Sequence, residues 1–135
     1  MKISIIGPNT PIPPVGWGAV ESLIWDMKLT LEEMGHSIQI INIGNPSEII
    51  NMINQFRPDF VHINYDDWVP LYPYIQYPCA VTTHFAYIER PEMMGPYKQR
   101  VFDQFTAIKP MFLGCLRVSI KFIKILLISQ KKGYI

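Results

Sequence analysis

The chain is poor in cysteine, poor in charge and free of long hydrophobic runs. Its two cysteines, Cys79 and Cys115, form no C-x-x-C pair and lie among apolar residues. A disulfide framework and a zinc spacing are therefore excluded, and both thiols read as buried and reduced in a cytoplasmic protein. No uncharged apolar stretch approaches the roughly 18 residues that a membrane span needs. The apolar run Ile3 to Ile6 breaks at Gly7-Pro8, which is too short for a signal-peptide core. Charged residues make up 17% and the net charge is +1, which leaves no basic excess for generic nucleic-acid binding. Familiar catalytic signatures are missing too. There is no H-E-x-x-H, no G-x-S-x-G, no G-x-G-x-x-G and no G-x-x-x-x-G-K-[ST].

What is present suits one globular domain. Hydrophobic residues reach 49% of 135, and a domain of this size buries roughly two-thirds of its unfolded surface. Charge is unevenly spread. Residues 1–97 hold ten acids and four bases, whereas residues 98–135 hold one acid and eight bases. The basic end needs its own account.

Periodicity gives the elements. Lys2 to Gly7 reads as a buried strand. Val20, Leu23, Ile24, Met27, Leu31 and Met34 recur at helical spacing, and Gly35 fits the left-handed position that ends a helix. Ser37 to Ile43 is a second strand. Asn45-Pro46-Ser47-Glu48 combines a capping residue, a proline at the first helical position and a glutamate three residues after the cap. The helix it starts runs to Phe56, before Pro58. Asp59 to Asn64 and Cys79 to His84 read as the third and fourth strands, joined by a loop. A helix is expected over Tyr97 to Lys109 and a fifth strand over Ile123 to Ser129. Strands alternating with helices predict a doubly wound parallel α/β sheet, expected here in the order 3-2-1-4-5 with the first strand central. Ligands in such sheets bind beyond the carboxyl ends of the strands. Those ends fall at Gly7 to Gly18, Gly44, Asn64 to Asp67 and His84 to Tyr87.

Pro11-Ile-Pro-Pro-Val-Gly-Trp-Gly-Ala-Val-Glu21 joins the first strand to the first helix. By composition it is a tight proline-glycine turn. Its glycines and the helix N-terminus behind it also suit close approach to an anion such as a pyrophosphate. The run PPVGWGAVESLIWDMKLTLEEMGHSIQI resembles the opening of family-4-type (group 1) GT-B glycosyltransferases. RPDFVHINYDD, PCAVTTHFAYIERPE and ILLISQKKGYI resemble the next strand signatures in the same order. The resemblance covers nearly the whole chain and implies a Rossmann-like, acceptor-side N-terminal domain.

Carried over by position, the resemblance assigns Gly16 and Gly18 to the loop that approaches the donor diphosphate. It makes Glu21 the supporting acid behind that loop, and His84 a catalytic-site residue touching the donor sugar. Ala19 stands where relatives often carry a second adjacent glycine, and it would be strained if that position needed a positive φ. His62-Ile63-Asn64 stands where relatives often show His-x-His. His62 itself reads as packing within the sheet, and His36 as a residue at the helix exit. Asp66 and Asp67 read as a solvated turn, with the acceptor side of the cleft as their functional alternative. Arg90, in Glu89-Arg90-Pro91-Glu92, is a further acceptor-side candidate.

The reaction implied by the resemblance moves a sugar from a nucleotide-sugar, bound as substrate, to an acceptor hydroxyl with retention and with no cofactor or metal. In that family the second domain supplies a basic pair and a Glu-x7-Glu element. No such domain is expected within these 135 residues, so the chain by itself is expected to be inactive. The competing reading is a non-catalytic binding or interaction module that keeps only the fold, and a third is an unrelated nucleotide-binding α/β domain. Arg117, Lys121 and Lys124 recur at i, i+4 and i+7. They read first as a solvated helix face, with contact to anionic lipid headgroups at a membrane surface as the alternative.

Overall fold

The computed structural model describes residues 1–82 and His84. The helix and fifth strand expected after Tyr97, together with Arg90, Cys115, Arg117, Lys121 and Lys124, lie outside the described residues. Among the described residues no helix is long and apolar enough to cross a membrane.

β1 is Lys2–Ile6, and all of it but Lys2 is buried. A parallel-sheet strand covered on both faces is apolar at nearly every position, which is why this run does not alternate. The helix α1 spans Ala19–Glu33 and buries Ile24, Met27 and Leu31. Gly35 follows at φ +85, and the His36 amide bonds back to the Leu31 carbonyl. β2 is Ser37–Ile41, two residues shorter than the apolar run suggests. The helix α2 is Pro46–Phe56. Its cap Asn45 accepts from the amides of Ser47 and Glu48, with Pro46 at the first position. β3 is Phe60–Ile63 and β4 is Cys79–Val81.

All strand pairs are parallel, and the order is β2-β1-β3-β4. This corrects the expected order, in which β3 lay outside β2. The reason is the face that α2 covers. Both crossovers are taken right-handed. With α1 on one face, β2 falls to one side of β1. α2 packs on the opposite face, so its crossover returns the chain past β1 and places β3 on the other side. The two cores record this arrangement. On one face Ile24, Met27 and Leu31 of α1 meet Ile3, Ile5, Phe60 and Ala80. On the other, Ile49 and Ile53 of α2 meet Ile6, Ile41, Val61, Ile63 and Val81.

The connection between β3 and β4, expected to be a loop, holds a 3₁₀ segment over Asp66–Tyr74 that buries Val69 and Leu71. Pro70 and Pro73 lie inside it. Each lacks an amide hydrogen, which disfavours a regular α-helix there.

Candidate functional site

The strand order reverses between β1 and β3, since the chain steps to one side of β1 to form β2 and to the other side to form β3. In open α/β sheets the crevice that takes a ligand opens at such a point, beyond the carboxyl ends. Gly7 ends β1 there and Asn64 ends β3. The Asn64 amide donates to the Ile6 carbonyl at 2.8 Å. The Trp68 indole Nε1 donates to the Gly7 carbonyl at 2.9 Å, tying the 3₁₀ segment to the start of the long loop.

That loop is anchored at its base and exposed at its tip. Asn42 Nδ2 donates to the Thr10 carbonyl at 2.8 Å, and Thr10 Oγ1 donates to Glu21 Oε1 at 2.7 Å. Val15 and Trp17 project with 92% and 97% of their surface exposed. Gly16 has φ +91 and open space where a Cβ would stand, so its backbone conformation is what calls for glycine. Gly18 is different. Its φ is −175, ordinary extended backbone, but a Cβ would come within 2.8 Å of Pro14 Cβ and 2.9 Å of Glu21 Oε2. Close packing requires glycine there. Ala19 opens α1, and Arg57 is the one non-glycine residue with positive φ among the described residues. The strain foreseen at Ala19 therefore does not arise.

Glu21 thus lies back over the first turn of α1, held by Thr10 and packed on Gly18. A carboxylate there complements the positive end of the helix. Among the described residues no lysine or arginine stands at this rim. Lys2 reaches the Phe56 carbonyl at the opposite edge, Lys28 pairs with Glu32 at 2.6 Å, and Arg57 follows α2.

His84 lies just beyond β4, half-buried, with Nε2 2.8 Å from Asn64 Oδ1. Next to this pair His62 Nε2 meets Thr82 Oγ1 at 2.8 Å, with both side chains buried. Burial pushes the His62 imidazole down to about 4, and the neighbouring His84 adds to the shift. His62 is accordingly neutral at pH 7, and it is buried within the sheet, as its sequence position suggested. His36 is buried at the far end beside the amino terminus of Met1, where desolvation, followed by that positive charge, lowers its pKa. The Cys79 thiol is free and buried, and pushed up to about 12 by desolvation.

The reading of Asp66 and Asp67 as a solvated turn holds for Asp67 and is corrected for Asp66. Asp67 is exposed, but Asp66 is buried with 8% of its surface accessible. Val69 and Leu71 draw the 3₁₀ segment onto the α2 face, and Asp66 goes in with them. Both acids stay near the carboxyl end of β3.

Topology therefore places Gly16, Gly18, Glu21, Asp66, Asp67 and His84 along the carboxyl rim. It also brings in Asn64, which the sequence placed at this edge but gave no role. With β3 between β1 and β4, Asn64 stands between the glycine loop and His84. The signal was present as spacing. His62 and Asn64 are two apart at the end of β3, Thr82 and His84 two apart just beyond β4, and each bonded pair is separated by 20 residues. Two polar pairs at the ends of otherwise apolar buried strands are unusual. Among the described residues no group of three His, Cys, Asp or Glu side chains could hold a metal ion. Comparisons with family models, with curated proteins and with solved structures return no match.

Proposed function

We propose that this α/β domain binds its ligand at the carboxyl rim of the sheet, and that it serves as the acceptor-side half of a family-4-type GT-B glycosyltransferase. One observation carries the reading most. His84, just beyond β4, is bonded to Asn64, which borders the switch point of a parallel sheet, on the same rim as the glycine loop. In this role His84 meets a hydroxyl of the transferred sugar. Gly16 and Gly18 shape the loop facing the donor diphosphate, and Glu21 braces that loop through Thr10. Asp66, Asp67 and Arg90 belong to the acceptor side.

Transfer with retention passes through an oxocarbenium-like transition state while negative charge grows on the leaving diphosphate. Cations or dipoles must be aimed at that charge, and removing one such donor typically costs about 3–4 kcal/mol. The described rim offers no lysine or arginine, and Glu21 adds a negative charge to it. The stabilising charge therefore comes from a donor-binding half, which also supplies the positioning that is worth about 7–11 kcal/mol in favourable cases.

The test is an incubation of the purified chain with a panel of nucleotide-sugars and acceptors, with detection of the released nucleoside diphosphate. The chain alone is expected to give no turnover. Adding a donor-binding domain of the same class is expected to restore it, and His84→Ala to abolish it. Robust acceptor-dependent turnover by the chain alone would overturn the half-enzyme reading. No turnover and no sugar binding under either condition would leave the fold-only module in its place.

A further inference from the structure

Asn64 is fully buried, and its side chain is divided between two tasks. Oδ1 is the partner of His84 Nε2 at 2.8 Å. Nδ2 has no hydrogen-bond partner among the described residues. The backbone of Asn64 is fixed independently, since its amide is bonded to the Ile6 carbonyl. A buried amide that spends its oxygen on one imidazole and leaves its nitrogen unused is poorly suited to holding the sheet together, because unmade buried hydrogen bonds are costly. It is well suited to holding that imidazole. An amide oxygen only accepts, so the ring nitrogen facing it must carry the proton. In a neutral imidazole the other nitrogen is then an acceptor.

We propose that Asn64 is the positioning residue of the site: it holds His84 as the Nε2–H tautomer and leaves Nδ1 as the acceptor that meets a ligand hydroxyl. The ligand class is a neutral polyol such as a sugar ring, whose hydroxyl donates to Nδ1. The identity of the ligand rests on the function proposed above, but the tautomer does not. His62, neutral next to the pair and bonded to Thr82, puts no competing charge against it.

Only three histidines are present, His36, His62 and His84. Their ring nitrogens can be assigned by nuclear magnetic resonance on the full chain labelled with ¹⁵N-histidine, using His36→Gln and His62→Gln to sort the signals. At a pH where His84 is neutral, its Nε2 is expected to show the shift of a protonated nitrogen and Nδ1 that of an unprotonated one. Asn64→Asp keeps an acceptor and is expected to keep the pattern. Asn64→Leu removes the acceptor and is expected to give a mixture of tautomers. A His84 ring protonated at Nδ1 in the unaltered chain overturns the proposal, whatever the variants do. A pattern unchanged in Asn64→Leu overturns it as well. The measurement needs neither donor nor acceptor. The expected tautomer with no sugar transfer would therefore count against the glycosyltransferase reading and leave the role of Asn64 standing.

Discussion

Asn64 and His62 stand two residues apart at the carboxyl end of β3 and make opposite contributions. The Asn64 Nδ2, fully buried and without a partner among the described residues, withholds about 1–3 kcal/mol from the folded state. Leucine has nearly the same shape and no such group. Asn64→Leu is therefore expected to hold or raise the midpoint of thermal unfolding, while freeing His84. A loss above about 2 kcal/mol in urea titration would mean that the amide is a structural group after all. His62 has its folded-state pKa lowered from 6.5 to about 4. Between those values the unfolded chain binds the proton and the folded chain does not. Its contribution to stability is whole above about pH 6.5 and is lost as the pH falls toward 4, at up to about 1.4 kcal/mol per pH unit. Urea titrations at pH 7 and pH 4.5 are expected to show this slope, and His62→Gln to remove its share. Cys79 sets no such slope near neutrality, because its thiol is pushed up to about 12.

Elements here are specified at their ends as much as along their faces. α2 has a side-chain cap in Asn45 and a proline at its first position, and it buries only Ile49 and Ile53 fully. Asn45→Ala removes two bonds to orphan amides and is expected to cost about 1 kcal/mol, readable as a shift in the denaturation midpoint. α1 has no side-chain cap at Gly18. It relies on Glu21 folded over its first turn and on Thr10 holding Glu21. In Gly18→Ala the new methyl group meets Pro14 Cβ at 2.8 Å and the Glu21 carboxylate at 2.9 Å. The carboxylate is the end of a flexible side chain and can move, but Pro14 belongs to the loop. The substitution is expected to cost about 1–3 kcal/mol and to displace the loop carrying Trp17, seen as a change in tryptophan fluorescence. An unchanged midpoint and an unchanged spectrum would show that the loop yields freely.

At the level of the whole molecule, strand order decides which groups meet. β1 and β3 have hydrogen-bonded neighbours on both sides, whereas β2 has one among the described strands. Amide exchange is expected to be slowest at Ile5, Ile6 and Ile63 and faster along Ser37–Ile41, following the local opening energies of such sheets. The same order separates the ends of β1 and β4 by one strand. At about 4.8 Å per strand step, the ends of β1 and β4 stand roughly 10 Å apart, with the end of β3 and Asn64 between them.

Local chemistry was enough to give the four strands and the two α-helices among the described residues. The spacing of Ile24, Met27 and Leu31, the Asn45-Pro46 start, the stop at Gly35 and the apolar run Ile3 to Ile6 each act over a few residues, so each could be read from the chain alone. The alternation they create implied a parallel α/β sheet with its ligand edge at the carboxyl ends. It did not say which face α2 would cover, because Ile49 and Ile53 make an apolar stripe that fits either side of a sheet. That choice belongs to the packed molecule, and it reversed the position of β3. Burial of Asp66 beneath an apolar 3₁₀ segment and the partnership of Asn64 with His84 followed from it. Both depend on contacts between residues far apart in sequence, whose register only the folded sheet sets.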